Sequence, residues 1–148
     1  MKIKLLTNVF ICLLFLSCDE KEVKQTNAPK TVQEAFLSKF PSATKIEWEK
    51  ENDTEWEAEF EMNTTKYSAN FGLDGSWRET EHEIEVSEIS KEILSNLKAE
   101  FPNYNIDEIE ISETPSVTLY EFSLKKGDAE LEVSINLEGK IVGTIKED

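Results

Sequence analysis

The sequence predicts an α+β fold made of two tandem helix-plus-antiparallel-meander units, with the helices on one face of the sheet or sheets and the other face exposed to solvent. Three observations support this prediction. A helical segment followed by Phe-Pro occurs twice, stretches with a period of two follow each copy, and 39% of the 148 residues are hydrophobic, enough to build a core. At this length we expect one compact domain or two very small ones.

Two segments carry apolar residues at helical spacing, and each is closed by a Phe-Pro pair, because proline cannot continue a helix. The second copy lies 61 residues after the first, and the matched residues are Val32, Phe36, Phe40, Pro41 and Ile93, Leu97, Phe101, Pro102. The spacing predicts helices over 31–40 and 89–101. Thr31 with Glu34 has the capping-box pattern, and Ser87 is the expected cap of the second helix.

The segments after the helices repeat at an offset of 64 residues and alternate between apolar and polar side chains, as half-buried strands do. The matched positions are Trp56, Ala58, Phe60, Tyr67, Ala69, Phe71, Leu73, Gly75 and Tyr120, Phe122, Leu124, Leu131, Val133, Ile135, Leu137, Gly139. The reversals are marked by Asn63-Thr64-Thr65, Lys126-Gly127-Asp128, Asp74-Gly75 and Glu138-Gly139. This self-similarity predicts an internal duplication, with repeat units at 31–86 and 87–148 that form one domain or two.

The N-terminal residues have the features of an export signal. Two lysines precede an apolar run from Leu5 to Leu16, which is too short to span a bilayer of about 30 Å. Leu16-Ser17-Cys18 then resembles a bacterial lipoprotein box, so we expect a signal peptide over 1–17, acylation of Cys18 and a flexible tether through residue 30. An ordinary secretory peptide is the alternative. The expected location is the bacterial cell envelope, with an outer-membrane anchor and the protein facing the periplasm or the cell surface.

Composition argues against several function classes. Acidic residues outnumber basic ones by 31 to 16, and a net charge of −15 repels nucleic acid and anionic membranes. His82 is the only histidine and Cys18 is assigned to the lipid, so nucleophilic triads and histidine-rich metal sites cannot be assembled. We expect no catalytic activity, no cofactor, no metal and no membrane contact beyond the lipid anchor. Paired carboxylates leave a hydrolase, and more weakly a calcium site, as alternatives.

Glutamates alternate with apolar residues along one predicted strand, and residues 45–85 hold thirteen acidic side chains against four basic ones. This pattern predicts an acidic sheet face, which either keeps the protein soluble and its edges unpaired or binds a basic envelope or secreted protein. The candidate contact residues are Trp77, Arg78, Glu57, Glu59, Glu61 and Glu81. Trp77 would lie on the acidic face of a regular strand, whereas a bulge after Gly75 would turn it toward the core.

The order of these elements, a helix ending in Phe-Pro and a meander with a Tyr/Trp-rich strand and an Asp-Gly turn, resembles the PepSY-like family. The resemblance covers about residues 30–148, with Glu138-Gly139 in place of Asp-Gly in the second unit. It implies likeness to β-lactamase inhibitory proteins, two units stacked into one curved sheet, and a secreted enzyme as partner. We therefore expect a non-catalytic, lipid-anchored binding module acting through the acidic face. The alternative is a small-ligand or cation-binding envelope lipoprotein.

Overall fold

The computed structural model describes residues 27–147, which contain two α-helices and eight strands. In chain order the elements are α1 (Lys30–Lys39), β1 (Thr44–Glu49), β2 (Glu55–Met62), β3 (Thr65–Gly72), β4 (Trp77–Glu83), α2 (Lys91–Glu100), β5 (Asn105–Glu113), β6 (Thr118–Lys126), β7 (Ala129–Asn136) and β8 (Ile141–Glu147). The strands form one antiparallel sheet in sequence order, so the predicted α+β class is confirmed. The predicted signal peptide and Cys18 lie outside the described residues.

The first helix begins one residue earlier than predicted. Pro29 occupies the N-cap position without a side-chain hydrogen bond, so the predicted capping role of Thr31 is wrong. Thr31 instead lies inside the first turn, and the Gln33 side-chain amide donates to the Ala28 carbonyl at 2.7 Å. The helix ends as expected, because Phe40 donates its backbone N–H to Phe36 and is followed by a proline.

The second helix is capped by Ser90, whose side-chain oxygen accepts a hydrogen bond from the Ile93 backbone N–H at 3.2 Å. The predicted cap, Ser87, lies in a separate 3₁₀ turn over Val86–Glu88, which is closed by a capping box between Glu85 and Glu88. The helix therefore starts at Lys91 instead of 89. Within residues 27–147, neither helix has the length and apolar character needed to cross a membrane.

Buried side chains form two clusters, one in each half of the chain. The first is Val32, Phe36, Phe40, Ala43, Ile46, Ala58, Phe60, Ala69 and Phe71. The second is Ile89, Ile93, Leu97, Ile109, Phe122, Leu124, Val133 and Ile135. Each cluster joins one helix to the alternating apolar positions of its strands, as the period-two pattern predicts. These clusters leave the glutamates of the same strands on the opposite side of the sheet.

Two glycines allow the helices to lie close to strand reversals. Gly75 has a φ of +80°, and a Cβ there would come 3.1 Å from the Thr31 carbonyl oxygen in the first turn of α1. Gly139 has a φ of +84°, and its Cβ would meet the Ile93 side chain of α2 at 3.2 Å. Both residues need the left-handed conformation that glycine adopts without penalty. The same contact thus recurs in both halves.

The register of the sheet shifts at four places, in β1, β4, β5 and β8, and the shift in β5 makes Asp107 the extra residue. In β4 the partner of Asn70 is Glu79 and the partner of Phe71 is Trp77, so Arg78 is the extra residue. A matching shift in β8 makes Val142 the extra residue. The shift in β1 includes Lys45, which has a φ of +52°. Because paired residues of an antiparallel ladder share a face, the bulge in β4 moves Trp77 to the core side of the sheet.

Candidate functional site

One surface of the sheet is rich in glutamate, which six of its strands contribute. On β2 the glutamates alternate with buried Ala58 and Phe60, and the pairing registers extend the same side of the sheet from β1 to β7. We call this surface the glutamate face; it comprises Glu47, Glu49, Glu55, Glu57, Glu59, Glu61, Glu79, Glu81, Glu83, Glu108, Glu110, Glu121, Glu130 and Glu132. Such a row of like charges destabilises a sheet unless something offsets the repulsion.

A groove of about 510 Å³ lies over this surface. It runs from β1 to β5 and is lined by Lys45, Glu47, Glu59, Phe60, Glu61, Lys66, Tyr67, Ser68, Glu81, His82, Glu83, Glu108 and Glu110. Carboxylates outnumber ammonium groups in this lining, so the groove presents mainly hydrogen-bond acceptors. A ligand bearing several cationic donors would match it.

The cations near the glutamate face lie at its margins. Lys45 bonds Glu61 at 2.8 Å, the Arg78 guanidinium lies 3.7 Å from Glu55, and Lys125 of β6 lies 3.2 Å from Glu130. None of the ion pairs between described residues includes Glu57, Glu79, Glu81, Glu110 or Glu121. We call these five residues the central glutamates.

Glu81 has the most strongly perturbed carboxyl group in this set. Partial burial, and after it the charges of Glu79, Glu110, Glu121 and Glu57 in that order, together raise its pKa to about 7. The residues opposite it on both neighbouring strands are serines, which supply no positive charge. Both effects disfavour the ionised form, so Glu81 holds a proton in part at neutral pH.

The pKa values of three other central glutamates are raised as well. Partial burial is the largest cause that raises the pKa of Glu57, Glu110 and Glu121, and neighbouring carboxylates add to it. Glu79 instead accepts a hydrogen bond from the Ser112 hydroxyl across the boundary between the two halves. These carboxylates are therefore held partly out of water and close to one another.

An amide lies between two of the central glutamates. Asn70 is opposite Glu57 on one side and Glu79 on the other. Its side-chain oxygen is buried and accepts no hydrogen bond from the described residues. A buried acceptor of this kind is costly unless a donor reaches it. The amide adds a further acceptor to the carboxylates on this surface.

Trp77 does not lie on the glutamate face. The bulge pairs it with Phe71, and it packs part-buried against the first core cluster. Its indole N–H donates to the Glu79 carbonyl at 2.8 Å and to the Thr80 hydroxyl at 2.9 Å. The Lys39 ammonium lies 3.5 Å from the ring centroid. The structure thus supports the alternative in which the bulge turns Trp77 toward the core. The prediction that Trp77 is an exposed contact residue on the glutamate face is wrong.

The remaining predicted contact residues do lie together. Glu57, Glu59, Glu61 and Glu81 occupy paired or adjacent rows of the glutamate face, while Arg78 projects from the bulge at its margin. Whether they contact a partner stays a prediction.

The sequence pattern missed three of the central glutamates as site residues, namely Glu79, Glu110 and Glu121. The alternation of polar and apolar residues along Asp107–Glu113 could have placed Glu110 on this face. His82 lies on the core side of the sheet, where the centroid of its ring is 4.7 Å from the ring centroid of Tyr67.

The arrangement suits binding better than catalysis by an activated nucleophile. Within residues 27–147, no three His, Cys, Asp or Glu side chains are grouped so that they could hold a metal ion. The groove offers carboxylate oxygens, which accept charge-assisted hydrogen bonds from lysine and arginine. Its chemistry therefore favours a cationic ligand surface.

Comparison with known proteins gives both a family and a fold. The sequence model of a family described as "Putative beta-lactamase-inhibitor-like, PepSY-like" matches residues 14–67 and 54–142, more than half of the chain. No curated protein sequence matches the chain.

Three solved structures are similar to the chain. A DUF2874 family protein from Bacteroides ovatus has 17% identity and a TM-score of 0.74, covering 82% of this chain and 89% of that one. A BLIP-like protein from Bacteroides fragilis has 18% identity and a TM-score of 0.72, covering 82% and 88%. A protein from Bacteroides eggerthii, described as one of the "putative periplasmic proteins", has 18% identity and a TM-score of 0.73, covering 82% and 90%. At such identities the likeness establishes the fold.

Proposed function

The chain belongs to the PepSY-like family, and on this premise we propose that it is a non-catalytic binding module that holds a basic partner protein against its glutamate face. One observation carries this proposal: the central glutamates are part-buried, close together and without a cation among the described residues. A solvated acidic surface would need only exposed carboxylates. Part-buried ones cost stability, and a partner that brings positive charge would offset that cost.

The expected contact is made by lysine or arginine side chains that enter the groove. An arginine can bond two carboxylate oxygens at once. Binding of such a cation would favour the ionised form of Glu81, so the complex should release protons near neutral pH. Affinity should accordingly increase as pH rises through the pKa of Glu81, which is about 7.

The partner class is a secreted enzyme that the module restrains. The family description and the name of the Bacteroides fragilis relative both refer to inhibition of β-lactamase. That relative shares the fold at 18% identity, which supports a similar mode of contact without naming the enzyme. A sheet face that covers an enzyme surface would inhibit by blocking access, and it needs no catalytic group of its own.

The proposal includes the finer architecture predicted from the repeats, namely two tandem units with both helices on one side of the sheet. Its support is the register across the middle strands. Ala69 of the first cluster pairs with Thr80, and His82, two residues further along the same strand, pairs with Ile111 beside buried Ile109. This register supports a common face for the residues of both clusters, which would leave the glutamate face uncovered by either helix.

The location that fits this function is the bacterial cell envelope, with the protein tethered by a lipid on Cys18 to the outer membrane. Support comes from the apolar run and the lipoprotein-like box at residues 16–18. The Bacteroides eggerthii relative, described as periplasmic, is consistent with an exported fold. A tether of about a dozen residues would let the sheet reach a partner near the membrane.

A second candidate function is binding of a small cationic ligand. The groove volume of about 510 Å³ favours it, since ligand sites commonly enclose roughly 300–1,000 Å³. The lining is charged instead of apolar, which argues for a polycation over an apolar metabolite. Stabilisation by calcium or a polyamine would favour this alternative if no protein partner is captured.

The proposal can be tested by affinity capture from the envelope extract of the source organism. The bait is the full chain, compared with the double variant Glu57→Lys/Glu59→Lys and a control, Glu92→Lys/Glu100→Lys, which has the same charge change at exposed positions of α2. We expect a protein that binds the wild type and the control but is lost from the glutamate-face variant. Equal capture by all three baits would contradict a role for this face.

Association kinetics with the captured partner would then test the electrostatic mechanism. Long-range attraction between the glutamate face and a basic surface should accelerate association at low salt and fade as the screening length falls to ~10 Å near 0.1 M. The double lysine variant should associate more slowly, with little change in its own fold. An association rate that does not change with salt would contradict electrostatic attraction by the glutamate face.

A further inference from the structure

The sheet has two free edges, β1 and β8, and they differ in how they are protected. The strand β1 carries the bulge at Lys45, with its positive φ, and three charged residues among its six. Bulges and charges are devices that keep an edge strand from pairing with another chain. The edge at β1 is therefore guarded.

The strand β8 has little such protection. Its residues Ile141 to Ile145 are uncharged, and Val142 and Ile145 leave 51% and 60% of their surface exposed. Its bulge lies at the start of the strand, so the stretch from Gly143 to Glu147 keeps a regular register with β7. Among the described residues, only β7 pairs with β8. The other edge of this regular stretch is open.

The first half of the chain shows what that edge can bind. At the offset of 64 residues, β8 corresponds to β4, and the matching edge of β4 is covered by β5 in an antiparallel ladder. The residues paired there are Thr80, Glu81, His82 and Glu83, which correspond to Thr144, Ile145, Lys146 and Glu147. On the uncovered strand β8, the exposed Ile145 thus takes the position of part-buried Glu81. An edge strand that faces solvent is normally protected by a charged residue, and β8 has an apolar one at this position.

We propose that the open edge of β8 pairs with β8 of a second copy of this chain, in an antiparallel ladder that makes the two sheets continuous. The charge pattern of the strand fits this occupant. Lys146 and Glu147 lie at one end, so antiparallel self-pairing places each charged end beside the uncharged start of the other copy. A two-fold contact of this kind closes, which gives a dimer and no larger assembly.

Pairing of β8 with β1 of another copy fits less well. It would bring the apolar edge against Glu47 and Glu49 and against the bulge at Lys45. Because each copy would still have one free β8 and one free β1, such pairing would continue into fibres. The bulge and the charged residues of β1 disfavour pairing between β8 and β1, so symmetric pairing of two β8 strands is the favoured contact.

The dimer should respond to salt in the opposite way to partner binding at the glutamate face. Each copy has a net charge of −15, so the two copies repel one another at low ionic strength. Screening weakens this repulsion, and dimerisation should strengthen as salt increases. The glutamate face lies on the flat of the sheet, so failure of one proposal leaves the other standing.

Sedimentation velocity of the full chain in detergent, over a wide concentration range, tests the proposal. We expect a monomer–dimer equilibrium in which Ile145→Lys and Val142→Lys each weaken dimerisation by about tenfold or more, because a lysine on an edge strand opposes pairing of that edge with another chain. The matched control is Leu73→Lys, which changes a residue of similar exposure (46%) outside β8 and should keep the wild-type constant.

A monomer at every concentration and salt level would overturn the proposal, as would a dimer that both lysine variants leave unchanged. Circular dichroism of each variant verifies that the fold is retained. Since Val142 is the bulged residue and Ile145 lies in the regular stretch, loss of fold in one variant still leaves the other as a test.

Discussion

The two halves of the chain fold the same order of elements around cores of different composition. In the first half, Phe36 of α1 packs above two small residues of the sheet, Ala58 and Ala69. In the second half the sizes are exchanged, because Leu97 of α2 faces a cluster in which Phe122 and Val133 take the matching sheet positions. The comparison teaches that the backbone requires a total volume between helix and sheet, and either layer can supply the large side chain.

The bulges lead to a related conclusion. Trp77 in the first half and Ile141 in the second occupy the same bulged position, opposite Phe71 and Ile135. Only the tryptophan has an N–H to donate, and it does so to Glu79 and Thr80. Since the bulge recurs with isoleucine, it belongs to the backbone pattern of the repeat and does not depend on the indole hydrogen bonds.

The largest expected effect is loss of the central aromatic ring. Phe36 has ring centroids of Trp48, Phe60 and Phe71 within 5.2, 4.9 and 6.0 Å. Phe36→Ala should therefore lower the free energy of unfolding by about 4–5 kcal/mol, and Leu97→Ala by a smaller amount, about 2–3 kcal/mol. Urea denaturation measures both. Equal losses would contradict the idea that the first core depends on one large helix residue.

The next largest effect is a pH dependence of stability caused by Glu81, whose counterpart in the second half of the chain is Ile145. Because the pKa of Glu81 is about 7 in the fold against 4.5 for an ordinary glutamate, its ionisation opposes folding above pH 7, and this penalty disappears as pH falls toward 4.5. Stability should therefore rise over that window. Glu81→Gln should add about 2 kcal/mol at pH 8 and little at pH 4.5.

Chemical denaturation of both proteins across pH measures this difference, with Ile145→Gln as the control at the matching uncovered position. Parallel pH profiles for wild type and Glu81→Gln would show that another group causes the dependence.

Overpacking should test the exchange of volume directly. Ala58→Phe places the second-half residue into the first core and should cost about 1–3 kcal/mol, because Phe36 already fills the space. Adding Phe36→Leu, the second-half choice on the helix, should recover part of that loss. A double-mutant cycle measures the coupling, and strictly additive losses would mean that the two positions do not share a common volume.

The smallest expected effects concern the glycines at the reversals. Gly75, Gly127 and Gly139 all have positive φ, but a Cβ at Gly127 meets nothing within 4 Å. Gly127→Ala thus reports the backbone strain alone, about 1–2 kcal/mol. Gly75→Ala should cost more because the Thr31 carbonyl is rigid, and Gly139→Ala should lie between them because the Ile93 side chain can move. Thermal unfolding ranks the three, and the reverse order would contradict this packing.

Much of the fold could be predicted from local patterns. The Phe-Pro pairs gave the ends of both helices, and Asn63-Thr64 gave a two-residue turn in which both residues have positive φ, as a hairpin requires. The predicted caps were wrong for two different reasons. The first helix begins at Lys30, directly after Pro29, and uses no side-chain cap, so Thr31 falls inside the helix. Before the second helix the sequence offers both Ser87 and Ser90, and the chain uses Ser90.

The candidate site was predictable only in part. Alternation placed Glu57 and Glu59 on one face, but the pairing of β4 with β5 decides that Glu81 lies near Glu110 and Glu121. That pairing joins residues far apart in sequence, and a shift by one residue would move every side chain to the other face. The bulge at Arg78 moved Trp77 to the core side in this way. The strand register, which composition does not reveal, therefore decided which predicted site residues lie on the glutamate face.

The most direct test of the account is an NMR titration of the Glu81 carboxyl group in the free protein. The central claim is that the central glutamates are held part-buried and without cations, ready for a basic partner. The account predicts a pKa of about 7 for Glu81, which falls when the captured partner is added. A value near 4.5 in the free protein, unchanged by the partner, would contradict it.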